Sequence, residues 1–158
     1  MIVDNNLVVS GGVSATGTLT YQAVTGASAV LSTNTIDLLQ NREMGVGEDL
    51  WLRPLVGTAF AGLTALTVEV VVADDAGLTT NVTVVGSSGA IPVASLTAGA
   101  RGAVDINPRI GSKGQRYMGA RYTPTGTGTA GTLFVDIGIE IQDANTGAKS
   151  YPAGFAVL

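Results

Sequence analysis

Histidine and cysteine are both absent from the 158 residues, which removes the side chains that most often do chemistry near neutral pH. There can be no disulfide, no Cys/His zinc cluster, and no Ser-His-Asp or Cys-His nucleophile. Gly126-Thr127-Gly128-Thr129-Ala130-Gly131 has the GxGxxG spacing. That spacing binds a dinucleotide only where a helix N-terminus follows to hold the pyrophosphate. A long alternating strand follows here instead, so the run reads as a flexible hairpin loop. Asp74-Asp75 and Glu48-Asp49 are adjacent acids in turns, whereas a calcium loop needs several oxygen ligands at set offsets. Both pairs read as structural or solvated. A cross-strand carboxylate pair of the glycosidase kind usually comes with aromatic sugar platforms, and the chain has one Trp, four Tyr and three Phe. Neither an enzyme nor a metal or cofactor is expected.

Arg116-Tyr117-Met118-Gly119-Ala120-Arg121-Tyr122 is the most informative polar stretch. On a strand, Arg116, Met118 and Tyr122 share one face, and Tyr117 and Arg121 share the other. Two Arg/Tyr pairs suit cation–π or interface contacts. Together with Trp51, Tyr151 and Phe155 they form the candidate interface set: Trp51, Arg116, Tyr117, Arg121, Tyr122, Tyr151 and Phe155.

The elements that must position these residues are strands. Over 131–142, Leu133, Val135, Ile137, Ile139 and Ile141 fall on one face, with Phe134, Asp136, Gly138, Glu140 and Gln142 on the other. Over 64–73, Leu66, Val68, Val70 and Val72 point inward, and Thr67, Glu69 and Val71 outward. Such period-two alternation marks half-buried strands. Asp74-Asp75-Ala76-Gly77 supplies turn chemistry before a strand at 80–85, giving a hairpin. Weaker strand signals lie at 19–24, 35–39, 50–56, 103–106 and 116–124, with glycine-rich turns at 45–49, 86–89, 99–102, 111–114 and 126–131. No helix longer than a single turn, at 36–43 or 91–98, is expected. About eight short strands between glycine-rich turns make an all-β, antiparallel β-sandwich or jelly roll.

The length fits one domain over 1–158, with 1–18 an N-terminal arm and 144–158 a C-terminal tail. A net charge of −4 with only eight Lys and Arg argues against nucleic-acid binding. The longest apolar stretch, 59–73, is interrupted by Thr64, Thr67 and Glu69 and is shorter than the roughly 18–20 residues of a membrane span. The first residues lack the basic start of a secretory signal. Hydrophobic residues make up 46 % and charged ones 13 %, so part of the surface is expected to be covered by copies of the chain or by a partner.

Four segments give the chain a family likeness: Thr33-Asn34-Thr35-Ile36-Asp37-Leu38, Met44 through Leu52, Gln115-Arg116-Tyr117 with Arg121-Tyr122, and Tyr151-Pro152-Ala153-Gly154-Phe155. In order and spacing it resembles the capsid cement, or decoration, proteins of short-tailed phages, of the Bordetella-phage type. It departs from them in the long Gly/Thr-rich stretch at 10–28. The resemblance implies a virion protein on the outer capsid surface, bound to the major capsid protein and to itself as a homodimer or homotrimer. Contact with host surface polysaccharide is compatible with that place. The alternative is a tail or receptor-binding module for host surface glycans.

Overall fold

Alternating strands bury one face each, and the economical solution is two sheets packed face to face. The structure, a computed structural model, describes residues 4–39, 49–107 and 114–138. Its strands are β1 (Val8–Ser10), β2 (Gly12–Val13), β3 (Leu19–Thr20), β4 (Gln22–Ala23), β5 (Val30–Leu31), β6 (Ile36–Asp37), β7 (Leu50–Val56), β8 (Ala61–Ala73), β9 (Thr83–Pro92), β10 (Val104–Ile106), β11 (Tyr117–Ala130) and β12 (Thr132–Gly138). One sheet runs β1-β12-β7-β10, with β4 also on β12; the other runs β5-β11-β8-β9, with β6 also on β11; β2 and β3 form a small ribbon. Every pairing between these strands is antiparallel. If β5 and β6 are taken as one interrupted strand, the principal strands follow the order 1-8-3-6 in one sheet and 2-7-4-5 in the other. That is a jelly roll.

The core lies between the sheets. Leu66, Val68, Val70 and Val72 of β8 and Met118, Ala120 and Tyr122 of β11 meet Leu52 and Val56 of β7 and Leu133, Val135 and Ile137 of β12. Burying each such Val or Leu side chain contributes about 1.5–3 kcal/mol. The two long sides are stitched between sheets. Asn34 N donates to Val9 O at 2.9 Å, and Asn107 N to Val85 O at 3.0 Å.

The inward faces match the sequence alternation, but the outward ones are less wet than expected. Val71 is buried with Ala73 and Leu78 in a second small cluster. The hairpin loop folds back over the sheet, and Leu78 fits because residue 119 is glycine. A Cβ there would lie 2.5 Å from Leu78 Cδ1. Asp75 holds the loop as a turn residue, accepting from Thr79 N at 3.0 Å and Thr80 N at 2.6 Å.

Three expectations need correction. Residues 4–18 are not an arm: Val8 and Val9 are buried on the edge of β12, because an apolar strand gains more from that edge than from water. The Gly-rich run at 126–131 is not a loop either. β11 continues to Ala130, pairing through bulges with Leu63 and Ala61 of β8. Likewise 86–89 lies inside β9, where Gly86 admits the close approach of β10; a Cβ would sit 2.1 Å from Asp105 O. Among the described residues, 3₁₀ turns occur at Asn5–Leu7 and at Val93–Ser95. The tail at 144–158, with Tyr151 and Phe155, lies outside the described residues, as do Ile139, Ile141 and Glu48.

Candidate interaction surface

The sheet edges are poor templates for an added strand. β1, β4, β5, β6 and β10 have two or three residues each. The longer edge strand β9 contains Gly89 at φ 66 and ends in Pro92. Short, bent, proline-terminated edges discourage pairing with another chain. That leaves the outward faces of the two sheets as the surfaces to examine.

On the first sheet, register sets Trp51 beside Gly138, Arg53 beside Asp136 and Leu55 beside Phe134. Phe134 is fully buried. The ribbon of β2 and β3 closes over it, so near that a Cβ on Gly11 would lie 3.2 Å from Phe134 Cδ2. Arg53 grips Asp136 in a fork, Nε to Oδ1 at 3.0 Å and Nη2 to Oδ2 at 2.5 Å. The side chains are 13 % and 1 % exposed. The guanidinium lies across Gly138, whose missing Cβ would stand 2.4 Å from Arg53 Cζ. Trp51 is half-buried on this face, opposite Asp105 of β10.

On the second sheet, the outward residues are Tyr117, Gly119, Arg121 and Thr123 of β11, opposite Ala73, Val71, Glu69 and Thr67 of β8. The loop with Leu78 covers the first half. The second half is bare. Arg121 Nε donates to Glu69 Oε2 at 2.8 Å, with the side chains 32 % and 17 % exposed. Thr67, Thr123 and Ala29 complete a shallow open groove around the pair.

At the end of this sheet, Asp37 of β6 lies in register with Tyr117. Arg116, immediately before β11, donates to it twice, Nε to Oδ1 at 2.6 Å and Nη2 to Oδ2 at 2.5 Å. The Arg116 guanidinium carbon sits 5.2 Å from the Tyr117 ring centre, a cation–π distance. Asp37 Oδ1 also accepts from Leu39 N at 2.7 Å. The Arg116 hydrogen bonds hold the Asp37 carboxyl below the usual carboxylate range.

The structure therefore brings Arg116, Tyr117 and Arg121 to one face and sets Trp51 on the other sheet. Tyr122 is a correction. The alternation of β11 turns it inward opposite Val68, where it is fully buried and cannot anchor a partner. Its hydroxyl bonds Ser10 Oγ across the sandwich at 2.5 Å, and burial pushes its pKa up. The second expected Arg/Tyr stack is absent, because Arg121 turns to Glu69 instead. Asp37, Glu69 and the Arg53–Asp136 pair escaped the sequence reading. One signal was present: Asp136 is a lone acid in an apolar strand and needs a cation from a neighbour, and β7 contains one, Arg53. Among the described residues no three His, Cys, Asp or Glu cluster to hold a metal ion, and no helix is long and apolar enough to cross a membrane.

Comparison with known proteins gives a family match. The family model described as Bbp16 covers residues 15–137, from just before β3 into β12. No curated protein matches the chain.

Proposed function

The chain belongs to the Bbp16 family, and from that premise we propose that it is a phage capsid cement protein. It binds the outer surface of the assembled shell in many copies, self-associated as a dimer or trimer, and braces the joints between major capsid protein subunits. The observation that carries the reading is the family match across most of a jelly roll, together with a name that accords with the Bordetella-phage likeness of the sequence. The half-bare face of the second sheet, with its Asp37–Arg116–Tyr117 end, is the surface we assign to the shell.

The physical logic needs no catalytic group. A protein that binds only the assembled shell stabilises it by mass action. Identical weak contacts repeated over a lattice add through effective concentration. A rigid, charge-poor body of strands loses little entropy on docking.

A second reading, host-glycan contact by a tail module, draws on the hydroxyl-lined groove at Thr67, Glu69, Arg121 and Thr123. Copy number separates the two. Quantitative electrophoresis of purified virions against the major capsid protein is expected to give copies comparable to the capsid protein. A handful per particle would move the chain to the tail and overturn the cement reading.

A further inference from the structure

Beside the C-terminal end of β7 the two sheets do not fill the space between them. They enclose a cavity of about 100 Å³. Its floor is Val56 of β7, Leu66 and Val68 of β8 and Leu133 of β12, all members of the core. Protein interiors leave few voids larger than a water molecule, and side chains around a void lose contacts. Water is a poor occupant here. It needs about two to four polar partners, and none of these four side chains supplies one.

The roof of the cavity is pinned, so the space stays open. The loop over 96–102 runs along β7: Val56 N donates to Ala100 O at 2.9 Å, Gly99 N to Val56 O at 2.8 Å and Gly102 N to Pro54 O at 3.0 Å. Phe60 N holds the start of the loop through Leu96 O at 3.0 Å. These bonds keep Leu96 and Ala100 in the wall instead of letting the loop sink inward. Ser95 and Arg101 are the two polar side chains of the lining, and both residues are exposed. They stand where the cavity meets water. The site has an aliphatic depth and a rim that carries a hydroxyl and a cation.

We propose that the cavity binds a small aliphatic carboxylate, with its hydrocarbon among Val56, Leu66, Val68 and Leu133 and its carboxylate at Arg101 and Ser95. An engineered apolar cavity of about 150 Å³ takes benzene, so this smaller one suits a chain of about four or five carbons. The rim selects the head group, because a guanidinium offers a carboxylate paired, charge-assisted donors. A ligand held between the sheets stabilises the fold by mass action. The inference stands apart from the shell-binding reading, and the failure of either leaves the other in place.

The test titrates the full-length chain at constant ionic strength with sodium pentanoate, 1-pentanol and sodium acetate, following valine and leucine methyl NMR signals and the melting temperature. Pentanoate is expected to shift the methyls of Val56, Leu66, Val68 and Leu133 saturably and to raise the melting temperature. Pentanol has the chain without the charge and is expected to bind about tenfold more weakly. Acetate, the head without the chain, is expected to leave those methyls unmoved. Ala100→Leu extends the wall into the space and is expected to abolish binding. Arg101→Gln, at an exposed position, is expected to reduce pentanoate binding to the level of pentanol. No saturable shift of these methyls with pentanoate overturns the proposal. So does a folded Ala100→Leu that still binds, which would put the ligand elsewhere. Equal binding of pentanoate and pentanol, or a folded Arg101→Gln that binds pentanoate like the parent, overturns the carboxylate assignment.

Discussion

The two sheets each present an arginine–carboxylate pair on the outward face, but in different settings. Arg53–Asp136 lies on a face closed over the pair, with Asp136 1 % exposed. Arg121–Glu69 lies on the half of its face that the Leu78 loop leaves open, with the side chains 32 % and 17 % exposed. In both, one strand supplies the base and its neighbour the acid, in direct register. The difference is the cover. A desolvated pair is strongly destabilising to break, because the surviving charge stays buried. A pair in contact with water is worth little to folding and remains free to meet another surface. Cover thus divides the molecule into a face closed into the fold and a face left open, the one we propose for the partner.

The strongest test of that division is Asp136→Ala, which removes the buried carboxylate that the Arg53 fork grips. We expect a loss of about 3–5 kcal/mol in denaturant unfolding. A loss under about 1 kcal/mol would mean that the face is not closed. Next comes Gly119→Val, which forces a side chain into the place of Leu78. Overpacking of this kind costs about 1–3 kcal/mol. The lifted 74–82 loop should also become a site of limited proteolysis, and an uncut, equally stable variant would break the account of how half of that face is covered. Glu69→Gln should cost under about 1 kcal/mol. A loss equal to that of Asp136→Ala would erase the contrast between the two pairs.

The smallest effect is confined to acid. Hydrogen bonds, chiefly from Thr80 N–H, hold the Asp75 carboxyl down to about 2, below its ordinary 3.8. Asp37 is lowered in the same direction by Arg116. Both folded values lie below the unfolded one, so the stabilisation is complete above about pH 4 and fades as the pH falls through the folded values. Amide exchange in the 74–82 loop and at Leu39 should accelerate in that window, while β7 and β12 stay protected. Uniform loosening of all strands would contradict a local origin.

Much of the sandwich was legible in the sequence because strand alternation is a local signal. Strands at 50–56, 64–73 and 116–124 and the hairpin after Ala73 correspond to β7, β8, β11 and the β8–β9 turn. The glycine runs were misread because glycine marks two different things, a turn or a close approach of two backbones, and only the neighbouring strand tells them apart. Gly86 against Asp105 is the second kind. The outward faces were legible only in part. Arg116, Tyr117 and Arg121 were found by residue type, but their ion-pair partners Asp37 and Glu69 depend on register between strands far apart in the chain. The inward turn of Tyr122 follows from the same alternation, with its aromatic bulk serving the core.

Hydroxyl-radical footprinting of the chain, free in solution and bound to shells, tests most directly which face meets a partner. The account predicts that Tyr117 loses reactivity on binding, while Tyr21 and Trp51, which lie by the covered sheet, keep theirs. Protection of Tyr21 and Trp51 with Tyr117 unchanged would contradict it.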